Sequence, residues 1–340
     1  MPLPGFPRRV ALLGATGSIG RKALAVAERY PDRLQIAALA ARGSVKALAE
    51  AACRFGVTRV AIGEADRVAE LRRLLPSGAT AEGGAEAVAA LAGLDGVDLV
   101  VNGMIGRAGL EASLLAARRG KLLALANKES LVLAGELLMR AAGEHGARVI
   151  PVDSEHSGLF QCLEGRDPAT VKRLLITASG GPFRGRRRED LAAVTPEEAL
   201  RHPVWPMGPR ITVDSATLFN KGLEVIETER LFGVPLERIE VWVHPQSVVH
   251  ALVELADGAM LAQLSTPDML MPVQYAMSYP ERWDCAVPSC DLPRWGALGF
   301  ERPDIEAFPA LGLAYRAART GGAGGTPGLR AAGATLSAGR

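Results

Sequence analysis

The sequence predicts an α/β protein in which an N-terminal doubly wound parallel sheet is followed by an α+β domain. A glycine-rich turn near the N-terminus joins a short apolar run to a helix-like segment. Apolar runs then alternate with helix-like segments as far as residue 151, and parallel strands need such crossovers. Beyond residue 171 strand-like runs recur with fewer helices between them, which favours a second domain of different architecture.

The first domain, predicted at residues 1–150, is assembled from apolar runs separated by polar turns. Residues 9–20 predict a strand, a tight turn and a helix start. Further strands are predicted at 34–40, 58–62, 99–102, 121–126 and 147–151. Helices are predicted at 23–29, 45–55, 65–75 and 109–118. The alternation predicts helices on both faces of one parallel sheet.

The second domain, predicted at residues 151–280, reads as a mixed sheet with few helices. Strands are predicted at 173–178, 239–243, 247–252 and 259–264, and helices at 196–199 and 217–232. Alternating residues at 248–255 predict a strand with one covered face. Recurring prolines predict an extended linker arm at 281–308. Residues 309–340 predict a short helix, 309–319, and a Gly/Ala/Ser-rich tail that we expect to be partly disordered.

Composition excludes several classes of partner. The 340 residues suit two domains plus an appendage, and 48% hydrophobic with 22% charged residues is typical of a globular protein. A formal net charge of +2 argues against nucleic acid or an anionic membrane as partner. The four cysteines are too sparse for a disulfide framework. With no leader and no membrane span recognised, we expect a cytoplasmic protein.

The glycine-rich turn predicts a nucleotide site of the Rossmann type. Gly14 suits the tight turn, Gly17 lets backbone N–H groups approach a pyrophosphate, and Gly20 permits close packing of helix on strand. Thr16 and Ser18 can add hydroxyl donors. The alternative is a glycine turn that serves packing alone.

The end of the second strand indicates which nucleotide. No carboxylate stands there to bind a ribose 2′-hydroxyl, and Arg42-Gly43-Ser44 stands there instead. An arginine beside a small hydroxyl residue suits a 2′-phosphate and therefore NADP(H). The alternative is a solvated turn arginine.

A polar turn at Asn127, Lys128 and Glu129 follows a buried-looking strand. Residues just past the carboxyl ends of strands face the ligand crevice of a doubly wound sheet. Lys128 could hold a phosphate, a carbonyl or a hydroxyl, and its neighbours could bind the nicotinamide ribose. The alternative is a helix N-cap followed by a first-turn glutamate.

Asp153 and Glu155 follow an apolar run and are predicted to point the same way from a strand end. Two carboxylates directed at one place repel each other unless a cation lies between them, so the pair indicates a divalent metal site. Glu224 would be a third ligand if its helix converges on the strand. The alternative is a solvated turn, or a helix N-cap with its first-turn acid.

Two further blocks in the second domain indicate anion binding. Ser179 before paired glycines can form an anion nest, and Ser215, Asn220 and Lys221 are donors suited to a phosphate. Residues 202–208 mix aromatic, Met and Pro residues without period, which suits a lid over a ligand. The alternatives are an ordinary turn and a loop packed on the core.

Together these segments resemble the 1-deoxy-D-xylulose 5-phosphate reductoisomerase family, over residues 10–315. The motifs occur in family order: Gly-Ala-Thr-Gly-Ser-Ile-Gly, Ala-Asn-Lys-Glu-Ser, Pro-Val-Asp-Ser-Glu-His, Ser-Gly-Gly-Pro-Phe, His-Pro-x-Trp-x-Met-Gly and Val-Asp-Ser-Ala-Thr-x-x-Asn-Lys-Gly-Leu-Glu. The resemblance implies an NADPH- and metal-dependent homodimer of the methylerythritol phosphate route to isoprenoids. It also implies a sugar phosphate substrate and a catalytic domain that takes part in dimerisation.

The resemblance also implies roles for individual residues. One divalent cation (Mg²⁺, Mn²⁺ or Co²⁺) would be held by Asp153, Glu155 and Glu224. The substrate's hydroxyls would contact Lys128 and Ser154, and its phosphate would be bound by Ser179, His202, Ser215, Asn220 and Lys221. The cofactor would be lined by Thr16, Gly17, Ser18, Ile19, Asn127, Glu129 and Gly208, with Arg42, Gly43 and Ser44 at the 2′-phosphate. Trp205 would close the lid.

Two departures from the family pattern bear on function. The family usually has Gly-Arg/Lys-Asn where this chain has Arg42-Gly43-Ser44, so the arginine is shifted in register. The family also continues into a helical domain of which residues 309–340 resemble a remnant, so we expect a shortened C-terminus. A catalytically impaired relic that still binds nucleotide and phosphate is therefore one alternative. A different sugar-phosphate or semialdehyde dehydrogenase is another, although Cys162 lacks the context of a nucleophile.

Overall fold

A computed structural model describes residues 3–205 and 208–320, which divide into two compact units. The first unit comprises the described residues up to Asp153 together with Met269–Val287. The second comprises Ser154–Asp268 and the described residues from Pro288 onwards. This division differs from the predicted domain limits, because residues 269–287, predicted as the end of the second domain and the start of the linker arm, group with the first unit. The predicted disorder of residues 321–340 lies outside the described residues.

The first unit contains a seven-stranded parallel sheet in the order β4-β3-β2-β1-β5-β6-β7, as the doubly wound prediction requires. Its strands are β1 Arg8–Leu13, β2 Leu34–Ala41, β3 Arg59–Ile62, β4 Thr80–Gly83, β5 Leu99–Asn102, β6 Leu122–Leu125 and β7 Arg148–Pro151. Its helices up to β7 are α1 Ser18–Arg29, α2 Val45–Phe55, α3 Val68–Leu74, α4 Ala85–Ala90, α5 Ala108–Arg118 and α6 Lys128–His145. The strand order reverses on the two sides of β1, and such a switch point is where doubly wound sheets bind ligands.

Burial explains which first-unit elements the sequence revealed. The central strands are continuous apolar runs, and Leu12, Leu39 and Leu99 are fully buried between the helix layers. Strand β4 and helix α4 were missed because β4 is an edge strand in which only Ala81 is buried. The predicted turn at 127–129 opens an 18-residue helix, α6, whose apolar pattern is interrupted by a kink at Ala134.

The second unit contains a four-stranded mixed sheet in the order β11-β10-β8-β9. Its strands are β8 Val171–Ala178, β9 Ile239–Val243, β10 Val249–Leu255 and β11 Met260–Leu264. The helices that precede β9 are α7 Ser154–Leu163, α8 Pro196–Ala199, α9 Pro209–Ala216 and α10 Phe219–Phe232. The prediction that one face of β10 is solvated is wrong, since its residues from Val249 to Glu254 are all buried. One cause is α7, whose Gly158 lies so near that an added Cβ would be 3.0 Å from Cβ of Ala251.

The helix predicted at 217–232 is confirmed as α10, which begins two residues later, at Phe219, whereas the preceding helix α9 was not predicted. Leu218 adopts a left-handed conformation (φ 57°), which ends α9 and lets α10 start in a new direction. Two later helices lie within the described residues: α11 Leu270–Ser278 packs on α1 in the first unit, and α12 Pro309–Arg319, predicted correctly, packs on α10 in the second. Across residues 3–205 and 208–320, no helix has both the length and the hydrophobicity needed to cross a bilayer.

Candidate functional site

The glycine-rich turn lies at the carboxyl end of β1 and leads directly into α1. Gly14 has a φ of 83°, and an added Cβ there would lie 2.7 Å from the carbonyl oxygen of Gly103. At Gly20 an added Cβ would lie 2.5 Å from the carbonyl carbon of Ala15. Gly17 is the N-cap of α1. The helix start is therefore held tightly against the strand with its N–H groups available, as an anion such as a pyrophosphate needs.

Arg42, Gly43 and Ser44 form the turn between β2 and α2, where the 2′-phosphate contact is predicted. Ser44 is the N-cap residue of α2. The Arg42 side chain is 93% exposed and contacts Glu64, which stands just past the end of β3, at 3.5 Å. The structure therefore places a carboxylate beside the predicted phosphate site, a feature that the β2 sequence alone could not reveal.

Asn127 is both the predicted site residue and the N-cap of α6. Its Oδ1 accepts hydrogen bonds from the backbone N–H and the hydroxyl of Ser130, at 3.0 and 2.6 Å. Its Nδ2 donates to the carbonyl oxygens of Met104 and Gly106 and to Glu129 Oε2. The helix-cap alternative and the ligand-site prediction are thus compatible, because a capped helix start fixes the residues around it.

A buried polar chain behind Asn127 was missed by sequence analysis. Asn102, the last residue of β5, donates from Nδ2 to the hydroxyl of Ser113 at 2.8 Å. The hydroxyls of Ser113 and Ser130 lie 2.9 Å apart, and Ser130 bonds Asn127. Asn102 orients the cap through these contacts. The signal was present, since a polar residue that ends a buried apolar strand needs buried partners.

Lys128 and Asp153 form a half-buried ion pair within the first unit, with side chains 14% and 23% exposed. Strand β7 ends at Pro151, so Asp153 lies beyond it, and Glu155 lies in the first turn of α7. The prediction that strand alternation aligns Asp153 with Glu155 is therefore wrong. The alternative of a first-turn helix acid describes Glu155 correctly.

Glu155, Lys221 and Glu224 form a buried charged cluster in the second unit. The Nζ atom of Lys221 lies 2.6 Å from Glu155 Oε1 and 2.5 Å from Glu224 Oε2. Carboxylate oxygens of the two glutamates lie within 4.8 Å of each other, and the Glu224 side chain is 1% exposed. Burial acts to lower the pKa of Lys221, but the two carboxylates outweigh it and hold the pKa above its usual value. Oxygen donors that need a cation between them suit a hard divalent metal.

Helices α7 and α10 are joined beneath this cluster by a buried histidine that sequence analysis did not single out. His156 Nε2 lies 3.0 Å from the carbonyl oxygen of Glu224 and 3.1 Å from Thr228 Oγ1. Asn220 Nδ2 also donates to Glu224 Oε1 at 2.6 Å. These contacts fix Glu224 in one position, and a histidine inside an acidic motif was the available signal.

Ser179 and His202 are brought together as predicted. His202 Nδ1 accepts from the backbone N–H groups of Val204 and Trp205, so its proton lies on Nε2, which donates to Ser179 Oγ at 2.9 Å. Burial lowers the pKa of His202 and favours this neutral form. Ser179 Oγ also accepts from Gly181 N–H, so its own hydroxyl proton can be donated to an anion.

Ser215 lies at the end of α9, against the glycines that follow Ser179. An added Cβ on Gly181 would lie 2.9 Å from the carbonyl oxygen of Ser215. A cleft of about 410 Å³ opens beside Ser179, and Arg184, Arg186 and Arg201 contribute to its walls. Two serines, the start of this glycine turn and a positive cleft are the elements of a phosphate site.

The predicted lid is described only in part, since residues 206 and 207 lie outside the described residues. The ring of Trp205 packs at 6.2 Å from the ring of His250, so the start of the lid is anchored on β10. Gly208 is the N-cap of α9 in the second unit.

Three sequence models of one family match this chain. A model described as 1-deoxy-D-xylulose 5-phosphate reductoisomerase matches residues 10–135. Two models of the C-terminal domains of that enzyme match residues 149–232 and 264–334.

Curated relatives and solved structures agree with the models. The chain is 50% identical to the 1-deoxy-D-xylulose 5-phosphate reductoisomerase of Nitratidesulfovibrio vulgaris (strain DP4), over 94% of this chain and 80% of the relative. It is 53% identical to that of Xanthomonas oryzae pv. oryzae (strain PXO99A), over 93% and 81%. The Zymomonas mobilis enzyme in complex with NADPH superposes with a TM-score of 0.88 at 46% identity, over 93% and 82% of the two chains. A reductoisomerase complex with NADPH, fosmidomycin and magnesium also gives 0.88, at 41% identity, over 92% and 80%.

Proposed function

The chain belongs to the 1-deoxy-D-xylulose 5-phosphate reductoisomerase family, and we propose which of its residues bind the metal, the substrate and the cofactor in the reaction of that enzyme. The enzyme converts 1-deoxy-D-xylulose 5-phosphate to 2-C-methyl-D-erythritol 4-phosphate and depends on NADPH and a divalent metal. The reaction rearranges the carbon skeleton and reduces the resulting aldehyde with hydride. The observation that carries the assignment of residues is the buried Glu155–Lys221–Glu224 cluster.

The residues present fit a divalent cation. One buried carboxylate, that of Glu224, and one partly buried carboxylate, that of Glu155, already share one ammonium group, and Asp153 precedes Glu155 by only two residues. We assign Asp153, Glu155 and Glu224 as the metal ligands. A bound divalent cation supplies Lewis acidity to the substrate's carbonyl and adjacent hydroxyl oxygens.

The phosphate of the substrate is assigned to donors of the second unit. Ser179 has a hydroxyl proton to donate, and His202 holds that serine in position. The glycine turn that packs on α9 supports a shared phosphate site for Ser179 and Ser215. Asn220 and Lys221 stand at the start of α10, where both contact Glu224. Donors on several rigid segments orient a phosphate better than one flexible side chain.

The reacting end of the substrate is assigned to Lys128 and Ser154. Lys128 is partly buried against Asp153, which keeps its ammonium group in a defined position. Ser154 donates to Glu155 Oε2 at 2.7 Å, so it stands directly beside a proposed metal ligand. Closure of the lid that includes Trp205 excludes water while charge develops on the substrate.

The cofactor is assigned to the first unit. The start of α1, with Thr16, Gly17, Ser18 and Ile19, suits the pyrophosphate because of its close backbone approach. Asn127 and Glu129 are assigned to the nicotinamide ribose, and Gly208 is also assigned to the cofactor. Arg42, Gly43 and Ser44 are assigned to the 2′-phosphate.

We further propose that Mn²⁺ as well as Mg²⁺ supports turnover, and that the enzyme acts as a cytoplasmic homodimer. Edge strand β11 supports a dimer, because Met260 on it is 43% exposed and its outer side can pair with a second copy. Light scattering on the purified protein would give the mass of one chain if this part of the proposal is wrong.

The decisive experiment follows NADPH oxidation by absorbance with the sugar phosphate and Mn²⁺. We expect metal-dependent turnover that Glu155→Gln lowers about 10³-fold, because several kcal/mol of transition-state stabilisation pass through the metal. The matched control is Glu164→Gln, an exposed acid just beyond α7, which should leave turnover unchanged.

The two other outcomes have distinct meanings. A Glu155→Gln variant with normal metal-dependent turnover would show that the ligand assignment is wrong. A folded wild-type protein that binds NADPH but shows no turnover would favour the alternative of a catalytically impaired relic.

A further inference from the structure

An acidic side chain occupies the predicted 2′-phosphate corner of the first unit. Glu64 lies with its carboxylate 3.5 Å from Nε of Arg42 and 3.9 Å from Nη1 of Arg67. It fills the space beside Gly43, where an added Cβ would collide with the carboxylate. A carboxylate and two guanidinium groups therefore surround the turn that follows β2.

The backbone fixes this arrangement. Glu64 N–H donates to the carbonyl oxygen of Arg42 at 2.8 Å, and Gly63 N–H donates to that of Ala41 at 2.9 Å. These bonds continue the pairing of β3 with β2 beyond the ends of both strands. Arg67 Nη1 donates to the carbonyl oxygen of Gly43 at 2.5 Å, and its Nη2 contacts Glu70 at 3.1 Å. Glu64 is thus held at the turn by the sheet as well as by its own charge.

We propose that Glu64 sets the cofactor selectivity of this chain by competing with the 2′-phosphate for Arg42 and Arg67. The inference rests on the proposed function, which assigns the turn to that phosphate. A phosphate monoester carries a charge of about −1.5 to −2 at neutral pH, so it is repelled by Glu64 and must displace it from the arginines. The Arg42 side chain can follow the phosphate, since it is 93% exposed.

The same carboxylate favours the cofactor that lacks the phosphate. An acidic residue near the end of the second strand is the usual acceptor for the ribose 2′-hydroxyl of NAD(H). Here that carboxylate comes from the neighbouring strand, past the end of β3, and reaches the same turn. The turn therefore holds both a carboxylate suited to a ribose 2′-hydroxyl and arginines suited to a 2′-phosphate. We expect the chain to bind NADH as well as NADPH, and to prefer NADPH over NADH less strongly than it would with Arg42 alone.

The test measures cofactor binding without substrate or metal. Dissociation constants for NADPH and NADH are measured by cofactor fluorescence for wild type and Glu64→Gln. We expect NADPH to bind roughly threefold tighter and NADH roughly threefold weaker in the variant, so that the selectivity ratio rises about tenfold, as suits partly exposed ion pairs. Calorimetry with 2′,5′-ADP and 5′-AMP should give the same trend for the phosphate alone.

Two further variants complete the design. Arg67→Gln should weaken NADPH about fivefold and leave NADH nearly unchanged. Glu28→Gln is the matched control: Glu28 is also a partly exposed acid paired with an arginine, Arg54, but it lies at the end of α1, away from the turn. It should change neither constant.

If the dissociation constant for NADH divided by that for NADPH is the same in Glu64→Gln as in the wild type, the inference is overturned. Turnover with NADPH would still support the proposed function. A raised ratio in a protein without turnover would support the inference and count against an active enzyme. Equal loss of both cofactors in Glu64→Gln would mean that Glu64 only maintains the turn, and would also overturn the inference.

Discussion

The two units build their proposed ligand sites in opposite ways. In the first unit the site consists largely of backbone at strand ends, with glycines that bring N–H groups close and with Arg42 almost fully exposed. In the second unit it consists of charged side chains removed from water, with Lys221 5% and Glu224 1% exposed. A site made of backbone N–H groups involves few buried charges. In a buried ion cluster the charges interact strongly, and removal of one member lowers the free energy of unfolding by several kcal/mol.

The comparison teaches where folding and function are coupled. In the second unit the same carboxylates must be satisfied for the chain to fold and, as the proposed metal ligands, must stay ionised. In the first unit the fold demands glycine at defined positions, and the ligand uses the space that results. Substitutions should therefore change stability most in the second unit, and in a way that added metal can reverse.

The largest expected effect is that of Lys221→Met. Removal of the ammonium leaves the buried Glu224 and the partly buried Glu155 close together without a cation, which costs about 4 kcal/mol of unfolding free energy in the absence of metal. Added Mg²⁺ should restore much of this loss by binding the same carboxylates. Denaturant unfolding with and without Mg²⁺, followed by tryptophan fluorescence, measures both effects.

Lys172→Met is the control for that experiment. Lys172 also pairs with a glutamate in the second unit, at 2.7 Å from Glu254, but its side chain is 59% exposed. Its removal should cost less than about 1 kcal/mol and show no response to Mg²⁺. If Lys221→Met behaves like Lys172→Met, the contrast between a backbone site and a buried charged site fails.

A second test concerns His250, which lies buried on β10 beneath the lid. Burial lowers the pKa of His250 to about 4. In the unfolded chain His250 takes up a proton near pH 6.5, whereas in the folded chain it does so only near pH 4. The free energy of unfolding therefore falls as the pH drops from about 6.5 to about 4. The contribution lost is on the order of 3 kcal/mol.

Unfolding free energies measured from pH 7 to pH 4 for wild type and His250→Gln give this contribution as a difference in slope. The variant should lose less stability on acidification than the wild type. His145→Gln, an exposed histidine of the first unit, serves as the control and should follow the wild-type curve. Parallel curves for wild type and His250→Gln would show that His250 does not contribute to the pH dependence of the unfolding free energy.

The same contrast explains how much the sequence could predict. The glycine turn and the alternation of strands and helices are local patterns, and the seven-stranded sheet confirms the doubly wound prediction. Gly14, Gly17 and Gly20 stand at fixed spacing because strand, turn and helix follow one another in the chain. Local spacing therefore predicts this strand, turn and helix well.

The charged site of the second unit was predictable by residue type but not by geometry. No pattern in the sequence around Leu218 predicts that this residue adopts a left-handed conformation and separates α9 from α10. The carboxylate of Glu155 was expected on a strand and lies on α7, because an acid two residues after another suits either element. Glu64 was not foreseen for a related reason: it reaches the β2 turn from the neighbouring strand, and strand order is a tertiary property.

The smallest expected effect is that of Gly20→Ala in the first unit. The added methyl group would lie 2.5 Å from the carbonyl carbon of Ala15, so strand, turn and helix must separate slightly, at a cost of about 2 kcal/mol. Added metal should not restore this loss, whereas NADPH affinity should fall because the N–H groups at the helix start no longer converge.

Gly143→Ala is the matched control. Gly143 lies within α6 with open space where a Cβ would be added, and helix propensity predicts a gain of up to about 1 kcal/mol there. Thermal unfolding and fluorescence titration with NADPH measure both variants. If Gly20→Ala keeps its NADPH affinity while losing stability, the glycine serves packing alone, and the first-unit site depends less on close backbone approach than its geometry indicates.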